Sequence, residues 1–136
     1  MATTMTLEPI PKTGTRDDTL KLTVAWLCDA SGDASASTDD FNFIGQKITD
    51  VIKGRSLFYC QTVPGTVDET YDVTVTDANS QDLFGGGMSG RSATLTESEF
   101  AYDGAVYGSF AISSALTITI ASAGNAKTGS AILYLS

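Results

Sequence analysis

Leu116, Ile118 and Ile120 alternate with Thr117, Thr119 and Ala121 near the end of the chain, and that period of two describes a strand with one buried face. The turn-rich break Ala123-Gly124-Asn125-Ala126-Lys127-Thr128-Gly129 separates it from a second run, Ala131 to Leu135, and the two runs read as a hairpin that closes the domain. In this run Ile132 and Tyr134 point one way and Leu133 and Leu135 the other, so the strand is apolar on both faces and needs cover on both. The core supplies one cover, and a partner subunit is a natural second. Leu133 and Leu135 are therefore candidate interface residues, although the pattern alone leaves open which pair faces outward.

The same alternation recurs upstream. In Thr19 to Leu27, Leu20, Leu22, Val24 and Trp26 share a face; in Thr70 to Thr76, Tyr71, Val73 and Val75 do. Arg55 to Val63 is strand-like, apolar on both faces, and stopped by Pro64-Gly65. Asp29 to Asp40 reads as a small, acidic, flexible loop, and Asp77-Ala78-Asn79-Ser80 as a turn. Over 41–53 the spacing of Phe41, Ile44, Ile48 and Val51/Ile52 predicts a short helix, with a strand pair as the alternative. Phe100, Tyr102, Val106 and Tyr107 are expected to be partly buried. Six to eight short strands with turns between them predict an all-β domain, a β-sandwich or jelly roll, over residues 19–136.

Residues 1–18 differ from the rest. Pro9 and Pro11 each fix their own backbone and bias the preceding residue toward extended conformations. The expectation is an extended N-terminal arm, lying across a neighbouring molecule or docked on its own domain, with Pro9, Ile10 and Pro11 as its candidate contacts. The first residues have neither the basic lead nor the apolar core of a signal peptide.

Charge narrows the partners. The net charge is -8, with 8 Lys and Arg against 16 Asp and Glu. Phosphate-backbone binding needs clustered cations, so nucleic acid and anionic membrane are not expected partners. Nor does any apolar run approach the roughly 20 residues of a membrane-spanning helix.

Each chemical motif has a plainer reading beside it. Gly85-Gly86-Gly87-Met88-Ser89-Gly90-Arg91-Ser92 has phosphate-loop spacing with Arg in place of Lys, but no amphipathic helix follows; a structural glycine loop is expected. Asp77, Asn79 and Asp82 have calcium-loop spacing without the central glycine or closing glutamate, and a plain turn explains them as well. Asp29, Asp33, Asp39 and Asp40 read the same way. The chain has no His, which excludes a conventional catalytic triad and leaves Asp68 with Glu69, or Glu97 with Glu99, as the acid pairs that glycoside chemistry could use. Tyr102, Tyr107 and Tyr134 could stack on sugars but are more simply core or interface. Cys28 and Cys60 are expected to be buried, reduced thiols. No catalytic residue, metal site or cofactor is expected.

The strand and loop TYDVTVTDANSQDLFGGGMSGRS (residues 70–92), the closing LTITIASAGNAKTGSAILYL (116–135), and Thr62-Val63-Pro64-Gly65 together resemble small structural proteins of tailed bacteriophages. The resemblance spans roughly residues 55–135. It implies a non-enzymatic virion protein, assembled in the host cytoplasm. The leading form is a capsid decoration (cement) protein on the outer head surface. It would be a homo-oligomer, with a trimer favoured, that binds the major capsid protein or another virion protein. A tail or head–tail connector component and a receptor- or glycan-binding module are the alternatives.

Overall fold

The computed structural model describes residues 2–10, 19–102 and 105–136. Twelve strands are present among them: β1 (Thr4–Ile10), β2 (Thr19–Leu27), β3 (Ala34–Ser37), β4 (Asn42–Phe43), β5 (Gln46–Lys47), β6 (Ser56–Pro64), β7 (Asp72–Thr76), β8 (Glu97–Tyr102), β9 (Tyr107–Gly108), β10 (Phe110–Ala111), β11 (Thr117–Ala121) and β12 (Thr128–Leu135). One short helix, α1 (Ile48–Ile52), follows β5. A seven-stranded antiparallel sheet has the order β1-β2-β12-β6-β8-β9, with β10 also on β6, and a three-stranded sheet has the order β3-β11-β7. The fold is an all-β, sandwich-like single domain, as the alternation predicted.

Period-two burial builds the core. Leu22, Val24 and Trp26 of β2, Ala131, Leu133 and Leu135 of β12, and Leu57 and Cys60 of β6 turn inward from the large sheet. Ala36, Val73, Val75, Ile118 and Ile120 of the small sheet join them in one buried cluster. Leu57 and Cys60 are three residues apart and should lie on opposite faces of a regular strand. Both face the core because the register with β12 slips at Tyr134/Leu135, with Tyr59 opposite Tyr134 and Leu57 opposite Leu135. The extra residue, Phe58, makes a β-bulge that resets the alternation.

The two C-terminal strands do not form the expected hairpin. β11 belongs to the small sheet and β12 to the centre of the large one, so the turn-rich break between them is a crossing from sheet to sheet. A second crossing, from β2 to β3, runs beside it. Cys28 N–H donates to Lys127 O at 2.9 Å and Ala123 N–H to Gly32 O at 3.0 Å, tying the two together. They approach so closely that a Cβ on Gly32 would lie 2.7 Å from Gly124 N, and both glycines have positive φ. No other residue type fits there.

Four further expectations change. The arm is extended but packed: β1 pairs with β2 from Thr4↔Ala25 to Ile10↔Thr19, and Met5 and Leu7 are buried in the core. Of the expected arm 1–18, residues 1 and 11–18, Pro11 included, lie outside the described residues. Leu133 and Leu135 are fully buried, so they are core rather than interface, and Ile132 and Tyr134 face outward. The physical reason is register: Leu133 sits opposite both Leu22 and Cys60, two inward-facing residues. Asp29–Asp40 contains β3 rather than being loop throughout, because Ala34–Ser37 pairs with β11 through small side chains that leave no hydrophobic period to read. Over 41–53 the two alternatives divide the segment. β4 and β5 form a tight hairpin, and the helix is confined to Ile48–Ile52, where Ile48 and Ile52 are buried. Gly45, at φ +77°, breaks the helical spacing between Phe41 and Ile48.

Candidate functional site

A sheet that buries one face leaves its other face to the surroundings. On the outward face of the large sheet, register places Glu8, Lys21, Tyr134, Tyr59 and Phe100 side by side across five strands. Tyr59 lies at the centre, its ring 5.6 Å from that of Tyr134 and 5.1 Å from that of Phe100, both tilted. Tyr102 follows Phe100 on the same face and stacks on Tyr107 at 4.5 Å. Phe100 is 56% exposed and Tyr107 61% exposed, so the expectation that both are partly buried fails, as it does for Val106. β8 and β9 end the described order of the large sheet; the inner side of β8 is covered, with Ala101 buried, and Phe100 on its outward side is exposed.

The next row is Thr6, Thr23, Ile132, Gln61 and Ser98. Tyr134 Oη donates to Gln61 Oε1 at 3.1 Å, leaving the Gln61 amide N–H groups beside the rings. Among the described residues the charged side chains on this face are Glu8 and Lys21, which pair with each other at 3.7 Å. In a molecule of net charge -8, the described part of this face is therefore aromatic, amide-bearing and nearly uncharged. Such a face suits protein surfaces or sugar rings better than ionic ligands.

Tyr102, Tyr107 and Tyr134 are brought together here, and sequence reasoning missed their neighbours Tyr59 and Phe100. Register joins them, and register is not written in any one strand. The apolar outward positions of β6 were the available signal. Pro9 and Ile10 end the edge strand β1 and are exposed, opposite Leu20 and Thr19.

The glycine-rich loop is structural. Where a phosphate would need amides, this chain supplies its own carboxylates: Gly86 N–H donates to Asp82 Oδ2 at 2.8 Å and Gly90 N–H to Asp72 Oδ1 at 2.8 Å. Phe84 and Met88 are buried beneath the loop. Arg91 is also buried: its Nη2 donates to Gly87 O at 3.1 Å, and its Nε lies 4.0 Å from Glu97 Oε1. Asp77 Oδ1 accepts from Asn79 N–H and Gln81 N–H, and Asp29 Oδ1 from Ser31 N–H and Asp33 N–H, as in ordinary Asx turns. Asp39 and Asp40 lie in a 3-10 turn capped by Ser37. Asp68 pairs with Lys127 at 3.4 Å; Glu97 accepts from Ser92 N–H, and Glu99 lies against Gly87. Among the described residues no group of three or more His, Cys, Asp or Glu is placed to hold a metal ion.

Cys28 and Cys60 are free and buried. Burial pushes the Cys60 thiol up to about 12, although the nearby Arg91 guanidinium pulls the other way. Burial also raises Cys28, with Asp29 and Asp33 adding to the effect, and it raises Tyr71. In the unfolded chain these groups ionise at their ordinary values. Above about pH 9 the folded state therefore holds protons that the unfolded state has released, and stability falls as pH rises toward 12. For the deeply buried Cys60 the slope is at most about 1.4 kcal/mol per pH unit between its ordinary value and about 12, and Cys28 and Tyr71 act in the same direction. Chemical denaturation between pH 8 and 11 reads it; Cys60→Ala should reduce the slope, and a flat profile contradicts the burial argument.

Among the described residues no helix is long and apolar enough to cross a membrane. In comparisons with known proteins, no family, no curated sequence and no solved structure matches the chain.

Proposed function

We propose that this protein is a non-enzymatic structural protein of a tailed-bacteriophage particle: a capsid decoration (cement) protein that binds neighbouring major capsid subunits on the outer head surface. The observation that carries the reading is the outward aromatic row Tyr134–Tyr59–Phe100 with Tyr102 and Tyr107, half-buried except for the exposed Phe100 and Tyr107, on a face whose described residues carry little charge. Aromatic side chains dominate the energetics of protein interfaces, and charged residues are depleted at interface centres. The acidity of the rest of the chain suits a position outside packaged DNA, where few basic groups are needed. The strand and loop patterns of residues 55–135 point to the same class of particle.

A glycan-binding module is the second reading, favoured by one observation: the Gln61 amide lies beside the Tyr59 and Tyr134 rings, and an aromatic platform with an amide suits a sugar face.

The double variant Phe100→Ser/Tyr107→Ser separates these readings. It is expected to remain folded, with a melting temperature close to wild type, because both side chains are mostly exposed. Its co-sedimentation with capsids lacking the protein should weaken at least tenfold, since two interface aromatics are worth about 1–2 kcal/mol or more each. Unchanged capsid binding sinks the reading of this face. Oligosaccharide binding lost in the same variant, with no affinity for capsids, moves the function to the glycan module. Copy number in purified particles then separates a decoration protein, present over the whole head, from a connector confined to one vertex.

A further inference from the structure

β6 is the middle strand of the aromatic face, paired with β12 on one side and β8 on the other. Its backbone donors and acceptors are engaged in those two ladders, so a polar contact between this part of the face and a partner must come from side chains. Gln61 stands at the centre. It is half-buried, with Ile132 and Ser98 opposite it and Tyr59 two residues before it on the same face. None of these neighbours carries a charge, and the Glu8–Lys21 ion pair lies away on β1 and β2.

The hydroxyls in this row, on Thr6, Thr23 and Ser98, can turn to donate or to accept. Gln61 has no such freedom. Tyr134 Oη donates to its Oε1 at 3.1 Å, which sets the amide with its oxygen toward Tyr134 and its N–H groups away. The Tyr134 ring is itself held against Tyr59 at 5.6 Å. Among the described residues nothing accepts from the Gln61 side-chain N–H groups. The amide therefore offers oriented donors, and its oxygen is already engaged. A carbonyl oxygen, which accepts and cannot donate, matches that arrangement. A sugar hydroxyl does both, and is best held by an amide whose oxygen is also free. A carboxylate would accept too, but it would bring its charge toward a molecule of net charge -8.

We propose that Gln61 is the specificity-determining residue of the aromatic face: its amide N–H groups, oriented by Tyr134, donate to an uncharged main-chain carbonyl of the docked protein. The inference rests on the reading of this face as a protein-binding surface, and adds the chemistry of the group that must sit at its centre. Docking removes water from the amide. A partner with no acceptor at that point leaves the donors buried and unpaired, which costs more than a matched bond gains. The rings supply contact area to any apolar partner, whereas the amide rejects those that do not match it. Tyr134 acts through Gln61 as a positioning residue.

Co-sedimentation with capsids lacking the protein tests it. Gln61→Met keeps the length of the side chain and removes both donors; binding should weaken about tenfold, with the melting temperature close to wild type. Gln61→Glu keeps an oxygen for the Tyr134 hydroxyl but turns a carboxylate toward the partner's carbonyl, and should bind more weakly than Gln61→Met. Tyr134→Phe frees the amide to turn and should lose part of the affinity. Added to Gln61→Met it should cost less than it does alone, because no amide is left to orient. Wild-type affinity in Gln61→Met or Gln61→Glu overturns the proposal; if Phe100→Ser/Tyr107→Ser has meanwhile lost binding, the reading of the face stands without it. Should that variant also bind like wild type, the face and its anchor fall together. A Tyr134→Phe loss of equal size in both backgrounds overturns the positioning of the amide. Oligosaccharide binding that Gln61→Met abolishes gives the donors to a sugar and overturns the carbonyl assignment.

Discussion

Leu133→Asp is expected to abolish cooperative folding, whereas Tyr134→Ser, one residue on, is expected to leave the domain folded. Leu133 is fully buried at the centre of the large sheet, paired with Leu22 on one side and Cys60 on the other. An aspartate there meets mainly apolar side chains, and the buried Arg91 guanidinium near Cys60 is already engaged with Gly87 O and Glu97. Burying an unpaired charge is among the few single changes that cost more than about 4–5 kcal/mol. Domains of this kind are stable by only about 5–15 kcal/mol, so the loss removes most or all of the margin. Tyr134 faces outward and is half-buried against Tyr59, with its hydroxyl on Gln61. Removing it forfeits one ring pair and one hydrogen bond, about 1–2 kcal/mol together. Circular dichroism and urea denaturation of the two variants read the contrast. A folded Leu133→Asp protein with a lost oligomer would return Leu133 to the interface and overturn its place in the core.

That contrast also shows what the sequence could reveal. Period two in Leu20–Trp26, Val73–Val75 and Leu116–Ile120 was enough to find those strands and their inward faces, because each buries one face only. Ala131–Leu135 was harder. With both faces apolar, alternation could not say which pair met the core, and the answer came from neighbours distant in sequence, Leu22 and Cys60. β3 was invisible because alanine and serine carry too little hydrophobic contrast to show a period. The closing hairpin fails for a different reason: a turn-rich break fits a hairpin and a crossing between sheets equally well, and the pairing of β11 with β3 and β7, and of β12 with β2 and β6, decides for the crossing. The outward aromatic face was half legible. Tyr102, Tyr107 and Tyr134 drew attention as side chains able to stack, but Tyr59 and Phe100 join them only through the register of β6 with β8 and β12. Ile44 was misleading in the sequence, completing a helical spacing that Gly45 breaks.

Deleting residues 1–10 is expected to unfold or severely destabilise the domain. An arm that merely lay across a neighbour could be removed at no cost to the fold, but β1 forms seven register pairs with β2. Met5 and Leu7 are buried among the core residues, and full burial of such side chains is worth about 1.5–3 kcal/mol each. The Thr3 hydroxyl adds a tie, accepting from Leu27 N–H at 3.0 Å. Removing β1 also uncovers one side of Leu20, Leu22 and Val24 and leaves β2 as a raw edge, long and apolar on its inner face. The summed loss is roughly 4–8 kcal/mol, again comparable to the whole stability of a domain this size. The truncated chain should show a denaturation midpoint far below that of the full chain, or aggregate through the exposed edge. A smaller change tests the same point: Leu7→Ala alone should cost about 2–4 kcal/mol through the cavity it leaves. If instead the truncated chain denatures at the full chain's midpoint, β1 is an accessory to the fold and its pairing with β2 contributes nothing to holding the sandwich together.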